Sequence, residues 1–151
     1  MLFLYKILGK AIVTVAPYLK HNLTIQSDNF SEDMKAKGYL IDILKNLEGH
    51  DFTDEEKEAL KFFKADNRHV KQYQKYIHNI SDIFNCLECE KCKVFGKMQL
   101  YGIGTALKIL LGYPYPYKRN EIVALLNAFN KISMSIDTYY KNRPKTVLLG
   151  H

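Results

Sequence analysis

Three cysteines, Cys86, Cys89 and Cys92, fall within seven residues at a uniform spacing. Residues three apart on a helix have Cα atoms about 5 Å apart, inside the window that a disulfide spans. Either neighbouring pair can therefore bridge, but not both at once. One bridge leaves one thiol without a partner in this chain. A pair at a helix start gains a second property. The free amides and the positive end of the helix dipole stabilise a thiolate, which lowers its pKa and makes it reactive. Lys91 and Lys93 add positive charge there, and Glu88 and Glu90 partly offset it.

Two other chemistries compete for these sulfurs. A structural zinc site wants four ligands, and the cluster offers three cysteines. His78 could complete it but lies eight residues upstream of Cys86, outside finger spacing. A bacterial ferredoxin run needs a fourth cysteine four residues after the third, followed by proline; here those positions hold Gly96 and Lys97. Plain burial as small apolar groups fits poorly with even spacing among charged residues. Redox chemistry is what the residues favour.

The elements that must position the cluster read as helices. The chain has 151 residues, 47% apolar and 25% charged, with four prolines and eight glycines. That is about one domain with enough apolar content for a core. Alanine, leucine, lysine and glutamate outnumber the strand formers, which points to an all-α fold. The net charge of +6 raises nucleic-acid binding as a possibility. However, Lys35, Lys37, Lys45, Lys57, Lys61 and Lys64 alternate with Glu32, Asp33, Asp42, Glu55, Glu56 and Glu58. No block of like charge and no nucleic-acid module occurs, so no nucleic-acid partner is expected.

Leu2 to Tyr18 is apolar all round and predicts a largely buried helix ended by the Pro17 region. Lys6 and Lys10 interrupt it, which excludes both a signal peptide and a membrane span. His21 to Glu32 reads as a polar loop. Met34 to Leu47 has Leu40, Ile41, Ile43, Leu44 and Leu47 on one stripe, a helix stopped by Gly49. Thr53 to Glu56 is a capping box opening a helix to about Lys64. Val70, Tyr73, Ile77, Ile80 and Phe84 mark a helix from Asn67 to about Cys86. Val94, Met98, Tyr101, Leu107 and Leu110 mark another over Lys91 to Leu111. Gly96, Gly102 and Gly104 inside it cost about 1 kcal/mol each against alanine, so something is expected to approach the backbone closely. Gly112 to Pro116 predicts a rigid extended loop, Asn120 to Tyr139 a last amphipathic helix, and residues 142–151 a loose tail. Three N-x-S/T triplets, at Asn22, Asn29 and Asn79, suit a secretory-pathway chain.

The run Cys86-Leu87-Glu88-Cys89-Glu90-Lys91-Cys92-Lys93-Val94-Phe95-Gly96-Lys97-Met98-Gln99 continues into Gly102-Ile103-Gly104-Thr105-Ala106-Leu107-Lys108. It resembles the endoplasmic reticulum oxidoreductins, flavin-dependent oxidases that recharge protein disulfide isomerase. The family pattern has three cysteines at this spacing, then Gly-Lys-x-Gln and Gly-x-Gly-Thr-Ala-Leu-Lys. Asn120 to Phe129 resembles the family's final helix, Leu4 to Pro17 an internal one, and Asn79 sits where a glycosylation triplet is frequent. The resemblance covers nearly the whole chain.

It implies a single helical domain over residues 1–151, the C-terminal part of a larger flavoprotein domain, with the cysteine pair at the start of a core helix. Cys89 and Cys92 match the catalytic pair. The resemblance makes Cys92 the thiolate that attacks the isoalloxazine C4a position and Cys89 the outer sulfur attacked by a shuttle dithiol. Electrons then pass from FAD to molecular oxygen, giving hydrogen peroxide. Cys86 matches a structural cysteine that pairs far upstream. Lys10 stands where the family has a flavin-contacting arginine, and a lysine there lacks the planar fork that grips phosphate at two points. No metal is implied. The expected location is the lumen of the endoplasmic reticulum, with peripheral association with its membrane. A non-catalytic helical module binding zinc through the cysteines, or an inactive truncated product, is the alternative.

Overall fold

The computed structural model describes residues 2–22, 29–50, 52, 54, 57, 61, 67–113 and 116–142. Among these the fold is all-α, as composition and periodicity predict, with no strand. Five helices have described bounds: α1 (Leu2–Asn22), α2 (Phe30–Glu48), α3 (Asn67–Asn85), α4 (Glu90–Leu110) and α5 (Arg119–Lys141). The capping box at Thr53, the tip of the loop at Pro114 and Tyr115, and the tail beyond Asn142 lie outside the described residues.

Helix α1 buries Ile7, Leu8, Ala11, Ile12, Val15, Ala16 and Leu19, a stripe at three- and four-residue spacing. It is not buried all round, because Phe3, Thr14 and Pro17 face outward. Nor does Pro17 end it. A proline inside a helix removes one amide donor and crowds the carbonyl four residues back. Ala16 and Leu19 on the buried side hold the chain helical past it to Asn22. Helix α2 starts at Phe30, earlier than its apolar pattern suggests. The Asn29 side-chain oxygen accepts a hydrogen bond from the Ser31 amide at 3.1 Å, which satisfies one of the orphan donors of the first turn. Leu40, Leu44 and Leu47 are buried, whereas Ile41 turns outward.

The centre of the structure is the packing of α4 on α5, with α1 laid against both. Ala106 and Ile109 of α4 meet Ile122, Leu125, Ala128 and Phe129 of α5 and the buried stripe of α1 in one apolar cluster. Small residues let α4 and α5 approach closely. A Cβ on Gly102 would run into the carbonyl oxygen of Ala124, with the Ala128 Cβ only 2.7 Å away. A Cβ on Gly96 would run into the Phe84 ring of α3. The close approach expected at the glycines thus holds for Gly96 and Gly102. It fails for Gly104, around which a Cβ would meet nothing within 4 Å.

Helix α4 ends in a left-handed Gly112, φ 76°. The Gly112 amide donates to the Ile109 carbonyl at 3.0 Å and the Tyr113 amide to Lys108 at 3.2 Å, a paired closure that only a residue tolerant of positive φ completes cheaply. The chain then returns as α5, and an ion pair ties the two ends together. Lys108 Nζ lies 2.8 Å from Glu121 Oε1, while Glu121 Oε2 accepts the Lys118 backbone amide at 2.7 Å. Burial alone would raise the Glu121 carboxyl, but the Lys108 ammonium and the Lys118 amide outweigh it and hold its pKa below the ordinary carboxylate value. The hydrogen bond to Glu121 in turn raises the Lys108 pKa.

Two predictions follow from this packing. Gly102→Ala should cost about 2 kcal/mol or more through overpacking, whereas Gly104→Ala should add about 0.5–1 kcal/mol; urea denaturation of the two variants measures the contrast. Because the folded pKa of Glu121 is depressed, its contribution to stability is present above the unfolded pKa and is lost as pH falls through the folded value. Glu121→Gln should therefore be less stable at neutral pH and lose less on acidification than the parent, read as thermal midpoints across the acid range.

Candidate functional site

The cysteines sit where α3 gives way to α4. Helix α3 closes with two tight bonds, from the Cys86 amide to the Ile83 carbonyl at 3.1 Å and from the Leu87 amide to Phe84 at 3.2 Å. Residues 87–89 leave the helix, and Cys89 becomes the N-cap of α4 with an extended backbone, φ −77° and ψ 103°. Its sulfur accepts the Cys92 amide at 3.2 Å, the role an oxygen plays in a serine or aspartate cap.

This geometry resolves the choice of pair that spacing leaves open. Cys89 and Cys92 form a disulfide with Cα atoms 5.2 Å apart. Cys86 is an exposed free thiol whose Sγ is directed at the Asp82 carbonyl, 3.6 Å away. The bonded pair occupies the N-cap and third positions of α4, so a thiolate released there faces unpaired amides and the positive end of the dipole. Of the two flanking lysines, Lys93 is engaged by Glu90 at 2.6 Å. Lys91 instead lines a cavity.

That cavity, about 620 Å³, lies between α3 and α4 and has Cys92 in its wall. Ile80, Phe84 and Leu87 form one side; Phe95, Gly96, Gln99 and Leu100 complete the other with Lys91 and Cys92. Cys89 is not among the lining residues, so the two sulfurs of one bond belong to different surroundings. The Gln99 side-chain nitrogen is buried without a hydrogen-bond partner. A volume of this size with apolar walls and few polar groups suits a small organic ligand. The flat, largely apolar ring of a flavin fits it, since such a ring brings the acceptor that the Gln99 amide lacks. A second cavity of about 570 Å³ continues between the same helices, lined by Gln74, His78, Ser81, Lys108 and Tyr113 among others.

Lys10 lies half-buried on α1 and does not line the cavity beside Cys92. Sequence reasoning places Gln99 inside a motif without a role for it. The available signal is its spacing, because seven residues after Cys92 is two turns on, the same helix face. Among the described residues no group of three His, Cys, Asp or Glu side chains is placed to hold a metal. Among them too, no helix is long and apolar enough to cross a membrane.

A disulfide closed across the first turn of a central helix, with one sulfur facing an apolar cavity, defines a helical protein of the dithiol–disulfide type. The model of the Endoplasmic Reticulum Oxidoreductin 1 (ERO1) family matches residues 1–139, and the chain belongs to that family. It is 34% identical over 146 residues to the endoplasmic reticulum oxidoreductin-1 of Caenorhabditis elegans, a match covering 89% of this chain and 30% of that protein. The ERO1-like protein alpha of Homo sapiens is 32% identical over 152 residues, with 89% and 32% covered. The Arabidopsis thaliana endoplasmic reticulum oxidoreductin-1 is 29% identical over 154 residues, with 95% and 33% covered. The chain thus spans about a third of the length of the curated relatives it matches.

The pairing has a direct check. Alkylation of the unreduced, unfolded chain followed by peptide mapping should label Cys86 alone, and Cys89 and Cys92 should become labelled only after reduction.

Proposed function

We propose that this chain carries the catalytic dithiol of a flavin-dependent thiol oxidase that reoxidises protein disulfide isomerase in the lumen of the endoplasmic reticulum. The observation that carries the reading is the split environment of one bond: Cys89 caps the helix in solvent, while Cys92 lines the apolar cavity. Family membership supports the same chemistry.

The chain's own part is thiol–disulfide exchange. A thiolate of the reduced client attacks Cys89 Sγ, forming a mixed disulfide and releasing Cys92 as a thiolate. The second client thiolate then attacks the client sulfur of that bond. The client leaves oxidised, and Cys89 and Cys92 are left reduced. Free amides at the start of α4 stabilise the Cys92 thiolate, and the apolar walls keep water from it. FAD held in the cavity supplies the two-electron acceptor, and molecular oxygen takes the electrons on. Cys92 and Gln99 are the residues that would meet its ring. Lys10 is assigned to the cofactor by the resemblance of its helix alone. In this reading residues 1–151 are the C-terminal part of a larger flavoprotein domain, residues 142–151 are a tail, and the protein associates peripherally with the lumenal side of the membrane. Glycosylation at Asn79 accords with the exposure of that residue.

In the intact protein, Cys92→Ser should abolish oxygen uptake driven by a reduced thioredoxin-like client, a loss of at least two orders of magnitude. Cys86→Ser should retain it. Unchanged uptake in Cys92→Ser would overturn the assignment.

A further inference from the structure

The cavity beside Cys92 has one feature that its redox role does not explain. Gln99 Nε2 is the single buried side-chain nitrogen or oxygen without a hydrogen-bond partner among the described residues. Leaving such a group unmade is costly, and native interiors rarely tolerate it. The walls around it offer no remedy. Ile80, Phe84, Leu87, Phe95 and Leu100 carry no acceptor, and Lys91 is a donor. Cys92 Sγ is held in a disulfide and is at best a weak acceptor. The acceptor must therefore come from what fills the cavity.

Position adds a second constraint. Gln99 follows Cys92 by two helical turns, about 10 Å along the axis, so the amide and the sulfur stand on the same face of α4 and line the same cavity. Phe84 lies where a Cβ on Gly96 would be, closing the wall between them with an aromatic face. An occupant that satisfies both ends is flat and apolar over most of its area. It carries a carbonyl oxygen at one edge and leaves another edge to the sulfur.

We infer that Gln99 is the positioning and selecting residue of this cavity: its amide donates a hydrogen bond to a ring carbonyl oxygen of a planar heterocycle and so fixes which edge faces Cys92. The inference rests on the flavin reading above and extends it by naming the group that recognises the ring. It also predicts selectivity, because a tricyclic ring of the same size without a carbonyl leaves the amide unpaired and gains nothing from it.

The test uses the intact protein freed of cofactor, with lumiflavin as the carbonyl-bearing ring and phenazine as the ring without one. Binding is followed by fluorescence and absorbance titration, and thermal midpoints are read without ligand. Gln99→Met, of similar length and without a donor, should weaken lumiflavin about tenfold, the size expected of one well-made hydrogen bond. It should leave phenazine unchanged, and the unliganded midpoint should stay level or rise because an unpaired buried group has gone. Gln99→Glu, isosteric and without the donor, should weaken lumiflavin at least as much. Equal weakening of both rings, or a lowered midpoint with it, would make Gln99 a structural residue and overturn the inference while the flavin reading stood. Unchanged lumiflavin binding in both variants would overturn it in the same way. Failure of the parent protein to bind lumiflavin or FAD would remove the flavin reading itself, and the inference with it.

Discussion

Helix α4 passes α5 at Gly102 so closely that the Ala124 carbonyl occupies the space of a side chain. The rest of the arrangement is referred to that contact. Helix α1 lies in the groove the pair creates, α2 rests on α1, and α3 touches α4 alone among the helices it meets extensively. Close-packed interiors transmit displacement instead of absorbing it. A shift of α4 along α5 would therefore move the disulfide at one end and the Gly112 closure at the other together. The Lys108–Glu121 pair resists such sliding, because it joins the end of α4 to the first turn of α5. Glu121 is nearly buried and uses both carboxylate oxygens, one on the ammonium and one on the Lys118 amide. A buried charge satisfied on both sides avoids most of the desolvation penalty that would otherwise make it a liability.

Periodicity exposed the helices of this chain well and their ends less evenly. The bounds of α4 and α5 fall within one or two residues of the pattern, because Gly112 and the amphipathic run after it are strong local signals. At Pro17 the local rule loses to burial: the neighbours Ala16 and Leu19 are fixed in the core, and the helix runs on. The first turns of α2 carry Phe30 and Met34 facing solvent, so no apolar stripe announces them. Ile41 illustrates a limit of any one-dimensional pattern. It sits beside Leu40 in sequence, but about 100° round the helix from it, and only a neighbour on that side could have buried it.

The site was legible as chemistry and only partly as geometry. Three evenly spaced sulfurs announce redox work, yet equal spacing cannot say which two are bonded. The break between α3 and α4 decides it, since residues 87–89 are not helical and Cys86 belongs to the end of the preceding helix. Gln99 was visible as part of a motif. Its lack of a partner is a property of burial, and burial there depends on Phe84, fifteen residues earlier and on another helix. The Lys108–Glu121 pair escaped for the same reason: it spans thirteen residues and a turn.

The cap on α4 is a sulfur instead of an oxygen, and that makes the helix end sensitive to electrons. While the disulfide is closed, the first turn is held by a covalent strap, and the Cys89 sulfur is only a weak acceptor for the Cys92 amide. Once the strap is opened and Cys89 carries a negative charge, the same N–H···S contact becomes charge-assisted and strengthens. Covalent and electrostatic fastening thus take turns at one point. The helix start can keep its shape through a cycle that breaks and remakes its own bond, so the next client meets the same surface as the last.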